Sequence, residues 1–489
     1  MYFDIIMIGD FRFPGGTSTS IASETAILAK AGYRVGLIAT AGAVLKYPHP
    51  MHPEIRRVLD NGFAELIAPD QSVSCALCLL HHPQVFKQWP HRPWHIEAGQ
   101  TIMVVHHPLM TASGQPFYDW QKIDTITRDM FGDVRWAPVG PKVREQFSRA
   151  VNPPKLFLQD WTNVFDIDEW KVPRTGFMSA QPVIGRHSRP DPLKWPETRS
   201  AFFQVYPDDP HFDVRLMGYG TDLEAVVGHP PANWTVLPFK AMPPRDFLGS
   251  IDFFVYYHHS EWVEAYGRSI LEAMATGAVV VLHPSFRPLF GEGAIYAVPA
   301  SVQATIRNFH QNPKLFLAQS NRAVDVATEI AGPQVLIDRV AHLIGLPARQ
   351  KRPAGQVKRP KIMFFTSNGV GMGHLTRSLA VARRLPDSVE PVFLTLSKAF
   401  GLVEREGIHA EYLPFHRATG ANIDDWNSHL NREVQAAIAF HQPDVFMFDG
   451  NVPYYGMLSA LEEFPALWRV WMRRGMWAPN SGTTEITRE

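Results

Sequence analysis

Short apolar runs separated by polar stretches of helical period recur along the chain. Residues 3–9 (FDIIMIG) are almost wholly apolar, Gly15 and Gly16 follow, a 3.6-residue pattern covers 19–31, and a second apolar run covers 35–39. Runs of this length closed by glycine read as buried strands, and the stretch between them as a helix. The order is strand, glycine-rich turn, helix, strand. Further runs at 75–80, 101–105 and 155–158 continue it. The rhythm restarts near Pro182 with PVIG (182–185), DVRLMG (213–218), WTVLPF (234–239), IDFFVYY (251–257) and AVVVL (278–282), and helical patterns over 302–323 and 333–344 close that section. A third start follows, with KIMFFTS (361–367) as a strand, a glycine-rich turn at 368–373, a helix over 374–385 and a strand over 391–396. Strands alternating with helices imply an α/β fold with parallel, doubly wound sheets.

The expected organisation is a Rossmann-like unit over 1–175, a second over 176–346, a linker over 347–360, a partial third unit over 361–478 and a tail over 479–489. Residues 349–361 hold six basic side chains, two prolines, one glycine and no acid, which suits a solvated tether or an anionic membrane surface.

Composition narrows the function. Lys+Arg and Asp+Glu are 47 each, so the zero formal charge supplies no general attraction to phosphate backbones and a nucleic-acid partner is not expected. Two cysteines in 489 residues cannot form a disulfide framework, no apolar run is long enough to span a bilayer, and no signal peptide opens the chain. A cytoplasmic location follows as the expectation, with a peripheral contact at the inner membrane face through the basic linker. Cys75 and Cys78 have zinc or redox spacing, but on a strand positions i and i+3 face opposite sides, and no second pair exists. Asp166-Ile-Asp168 reads as a crossover loop, and no metal is expected.

The densest chemistry lies in HHSEWVEAYGRSILEAMATGAVVVL (258–282). Gly267 precedes a strong helix-forming run, so the amides of Gly267, Arg268 and Ser269 would be the free donors of a helix N-terminus, which attracts phosphate. Glu264 precedes the helix and Glu272 lies more than one turn inside it. Two carboxylates flanking a phosphate site suit a nucleotide sugar, one holding sugar hydroxyls and the other a ribose.

EAYGRSILEAMATGAVVV resembles the E-x7-E signature of family 4 retaining glycosyltransferases, which have the two-domain GT-B fold. PVIGRHSRPDPLKWP is similar to the family's first donor-domain strand, whose basic residues, here Arg186 and Lys194, neutralise the donor diphosphate, although the spacing between them is longer than usual. The loop at Gly15 and Gly16 resembles the family's N-terminal glycine loop, and LMGYG (216–220) its middle strand and turn. His106, at the carboxyl edge of the first sheet, matches a histidine that faces the donor sugar. The resemblance implies retaining transfer of a hexosyl group from a nucleoside diphosphate sugar to a carbohydrate or lipid-linked acceptor, in surface polysaccharide or glycolipid assembly. It implies no cofactor beyond the donor itself.

SNGVGMGHLTRSLAVARRL (367–385) lacks the G-x-G-x-x-G spacing and the acid that a dinucleotide site needs. With Gly369, Gly371, Gly373 and His374 it resembles the acceptor half of family 28 glycosyltransferases, and PDVFMFDG (443–450) resembles a strand of that half. The matching donor half is missing, so an acceptor-handling, scaffolding or vestigial role, or a truncated chain, is implied. A sugar phosphorylase, an epimerase or a non-catalytic partner protein are the competing readings of the whole.

Overall fold

A computed structural model describes the chain apart from residues 14, 41, 43–50, 68–70, 91–93, 151, 348–358, 368–371 and 474–489. The first sheet comprises β1 (Tyr2–Gly9), β2 (Val35–Ala39), β3 (Glu65–Leu66), β4 (Val73–His81), β5 (Ile96–Val105) and β6 (Val134–Pro138), in the order β3-β2-β1-β4-β5-β6. The second holds β7 (Val183–His187), β8 (Asp213–Met217), β9 (Trp234–Leu237), β10 (Phe253–Tyr256), β11 (Val279–Leu282) and β12 (Ile295–Tyr296), in the order β12-β11-β10-β7-β8-β9. The third holds β13 (Lys361–Thr366), β14 (Glu390–Thr395), β15 (His409–Tyr412), β16 (Val445–Asp449) and β17 (Trp468–Met472), in the order β15-β14-β13-β16-β17.

Counted from its own first strand, each sheet repeats one order, 3-2-1-4-5 with a sixth strand in the first two, and the paired strands are parallel. This is the Rossmann-like doubly wound topology, occurring three times. Parallel strands covered by helices on both faces read as unbroken apolar runs, as in β11, where Val279, Val280, Val281 and Leu282 are all fully buried. The topology also fixes where ligands collect, because the crevice opens at the carboxyl ends of the strands where the order reverses: β1 beside β4, β7 beside β10, β13 beside β16.

Three expectations change. Residues 155–158 form no strand; Leu156 makes a single bridge to Trp136 and Leu158 is 94% exposed. Pro153 and Pro154 just before them lack the amides a ladder needs. The helical pattern over 302–323 is two helices, Val302–Gln311 and Pro313–Ala331, because Pro313 has no N–H to continue the first. The helix Pro333–Ile344, adjacent in sequence to the second unit, packs instead on the first. Its Leu336 and Val340 join the core of the first sheet, Gln100 donates to the Leu343 carbonyl at 2.7 Å, and the Tyr33 hydroxyl donates to the Gly345 carbonyl at 2.9 Å.

The third unit rests against the first. Arg56, buried on the helix Pro53–Asp60, donates to Glu411 and His441, and Lys361 Nζ lies 3.5 Å from Asp60. Among the described residues no helix is long and apolar enough to cross a membrane.

Candidate active site

The helix Arg268–Ala275 begins at Gly267, whose φ of +84° is left-handed. A Cβ there would lie 2.9 Å from Ile270 Cδ1 and 3.3 Å from the Phe290 ring, so glycine is required both by conformation and by space. As the first residues of the helix, Arg268 and Ser269 have amides with no intrahelical acceptor, and among the described residues nothing else accepts from them. The Gly267 amide is taken by Glu264 Oε1 at 3.2 Å.

Glu264 is almost fully enclosed. Its Oε2 accepts from Lys194 Nζ at 2.8 Å, from the Trp262 indole at 3.1 Å and from the Tyr256 hydroxyl. Burial pushes the carboxyl up, but the Lys194 charge and these hydrogen bonds overcome it and hold it at about 2. Burial lowers the Lys194 ammonium in turn, offset by Glu264. Glu272 is paired as well, accepting from Arg268 Nε at 2.8 Å, with His187 Nε2 at 3.8 Å. Each carboxylate of the E-x7-E spacing therefore has its own cation, Lys194 for Glu264 and Arg268 for Glu272.

Arg186 departs from its expected place. It is fully buried, its guanidinium donates to the carbonyls of Tyr257 and Lys194, and it lies 4.7 Å from the Trp195 ring centroid and 4.2 Å from that of Tyr256. Through these two carbonyls Arg186 holds the loop that carries Lys194, while its Nε, also buried, has no partner among the described residues. Lys194, despite the long spacing, reaches Glu264.

The first unit supplies the opposite wall. Gly15 precedes the helix Gly16–Lys30, and an added Cβ at Gly15 or Gly16 would meet none of the described residues within 4 Å. Across the gap Arg268 approaches Ser20 Oγ at 3.5 Å, and Tyr266 donates to the Asn163 carbonyl at 2.9 Å. Two helix N-termini, one from each unit, thus border one cleft. His106 follows β5 at the edge of the first sheet, half-buried, with Nε2 3.0 Å from His81 Nδ1. Burial, then the neighbouring His81, hold His106 well below the usual histidine range. His258 is lowered to about 4 by burial.

In the third unit Gly369 and Gly371 lie outside the described residues, while Gly373 opens the helix Gly373–Ala382. His374 Nδ1 lies 2.7 Å from Asp449 at the carboxyl end of β16. The same fully buried carboxylate accepts from Arg377 Nε at 2.9 Å and Ser378 Oγ at 3.1 Å.

Cys75 and Cys78 are free and buried in β4, and Asp166 caps the short helix Ile167–Trp170 through the Asp168 amide at 3.2 Å. Among the described residues, His409, Glu411 and His441 are grouped closely enough to hold a metal ion, but Arg56 donates to Glu411 and His441, and the group lies between the first and third units, away from the cleft. Sequence reading missed His187, Glu24 and His81 as neighbours of the site. His187 could have been found as the polar residue ending the first strand of the second sheet.

No family model matches the chain, and no curated protein does. Among solved structures, Anabaena HepE in complex with UDP-glucose is similar at 13% identity with a TM-score of 0.48, the match covering 69% of this chain and 98% of HepE. A glycosyltransferase from Rickettsia africae is similar at 10% identity with a TM-score of 0.47, covering 69% of this chain and 98% of its own.

Proposed function

We propose that the protein is a glycosyltransferase that moves a hexosyl group from a nucleoside diphosphate sugar to an acceptor hydroxyl, with retention of configuration. The observation that carries this reading is the cleft itself: the helix N-terminus at Arg268 and Ser269 faces the glycine-led helix of the first unit, and two buried carboxylates flank it. Free amides at a helix N-terminus are ready donors for a diphosphate. Arg268 and Lys194, released from their carboxylates as the donor enters, would stabilise the departing diphosphate, while Glu264 turns to sugar hydroxyls and Glu272 to the ribose. Catalysis of this kind is positioning and electrostatics with no resident metal.

The acceptor, carbohydrate or lipid-linked, would enter over the first unit near His106. We place the reaction on the cytoplasmic side, in surface polysaccharide or glycolipid assembly, with the basic segment after residue 348 as a peripheral contact for an anionic membrane. The third unit would handle the acceptor through His374.

The test is calorimetric titration of UDP, GDP and ADP, then of the matching sugar donors, into the full chain and into Glu272→Ala. Selective binding of one nucleotide, weakened at least tenfold in the variant, supports the reading. A folded protein that binds none of them removes it, as does a transfer product of inverted configuration for the stereochemical part.

A further inference from the structure

Behind His106 lies a buried polar chain that the diphosphate site does not use. Glu24, on the helix Gly16–Lys30, is fully buried, and so is His81 at the end of β4. Glu24 Oε2 accepts from the Trp161 indole at 3.2 Å and lies 4.0 Å from His81 Nε2, about 1 Å beyond a hydrogen bond. Glu24 Oε1 and His81 Nε2 are both buried polar atoms without a partner among the described residues. Such atoms are costly, and a small rotation of the carboxyl would satisfy His81 Nε2. On its other side His81 Nδ1 is 3.0 Å from His106 Nε2, and His106, half-buried, has no partner at Nδ1 among the described residues, so that atom ends the chain.

Hydrogen-bond direction in this chain is not free, because a neutral imidazole has one donor and one acceptor nitrogen. With Glu24 ionised, His81 must donate from Nε2 and accept at Nδ1; His106 then donates from Nε2 and presents an Nδ1 lone pair. With Glu24 protonated every bond reverses, and His106 presents Nδ1–H.

We propose that Glu24 and His81 are positioning residues that set which ring nitrogen of His106 carries the proton, and so whether His106 accepts from or donates to a substrate oxygen in the cleft. The part concerning substrate rests on the glycosyl-transfer reading; the tautomer itself does not. The other groups facing Glu24 are Arg339 from the helix Pro333–Ile344 and Tyr266 from the loop before Gly267, while His82 adjoins His106. Burial raises Glu24 to about 7, so the reversal falls near neutrality.

The test is nitrogen-15 NMR of the full chain labelled at histidine, with His106 identified by its loss in His106→Gln. Its tautomer is expected to reverse between about pH 6 and about pH 8 in the wild type. In Glu24→Gln it should stay in one form at both values, and in His81→Phe it should no longer respond to Glu24. If a transfer assay is in hand, Glu24→Gln should flatten the pH profile of kcat with KM changed less than about twofold. A His106 tautomer unaffected by Glu24→Gln in folded protein overturns the proposal even if glycosyl transfer is confirmed. A tautomer that responds in a protein with no transferase activity keeps the chain of bonds and removes the substrate role.

Discussion

Lys194 Nζ and Glu264 Oε2 lie 2.8 Å apart across 70 residues, tying the loop after β7 to the loop before the helix Arg268–Ala275. Both side chains are largely buried, at 15% and 12% exposure. Removing one partner of a buried pair leaves the other charge uncompensated, at about 3–5 kcal/mol. Lys194→Met should therefore lower stability by about that amount, and Lys194→Met combined with Glu264→Gln by much less than the two single changes added together. Urea unfolding of the four proteins in a double-mutant cycle measures the coupling.

The same pair gives an acid limit. Glu264 is held at about 2 against an ordinary 4.5, so its contribution is complete above pH 4.5 and is lost as pH falls through 2. The stability difference between wild type and Glu264→Gln should be constant from pH 5 to neutrality and shrink below pH 4.5.

Glu24 has the opposite sign. Held up at about 7 by burial, it keeps in the folded protein a proton that the unfolded chain releases near 4.5. Its contribution is full below pH 4.5 and lost as pH rises through 7, a difference of about 3 kcal/mol. Glu24→Gln, which cannot ionise, should be more stable than wild type at pH 8 by about that amount and nearly equal to it at pH 4. Chemical denaturation at the two pH values decides.

Gly267→Ala places a Cβ at a left-handed residue and 2.9 Å from Ile270 Cδ1. The conformational cost is about 1–2 kcal/mol, and either the Ile270 methyl or the helix start that carries the Arg268 and Ser269 amides must give way. Thermal unfolding should show the modest loss, and nucleotide titration a larger one.

The starts of all three units were legible because buried parallel strands are near-continuous apolar runs, and after β1 and β13 a glycine-rich turn marks the end of the strand: β1, β7 and β13 stand within a few residues of where the pattern puts them. β17 was not, since Trp468, Arg469 and Val470 are exposed on an edge strand and show no apolar run. In the cleft, the helix N-terminus at Gly267 is a local feature and could be read from glycine followed by good helix formers. Arg186 could not be placed, because the Tyr257 carbonyl that takes its guanidinium lies 71 residues away and only folding brings it near. Glu24 and His81 were hidden for the same reason; one sits mid-helix and the other at a strand end, and neither position announces the other.

The return of the helix Pro333–Ile344 to the first sheet governs how the cleft can move. The chain passes from the first unit to the second after Trp170 and comes back at Ala331, and the two passages lie side by side, the Phe165 amide donating to the Ala331 carbonyl at 3.0 Å. A body held by a single strand can swivel in any direction. Two adjacent passages of chain would restrict any relative movement of the units to a swing about one axis, as a door on its hinge, which would return Arg268 to the same place opposite Ser20.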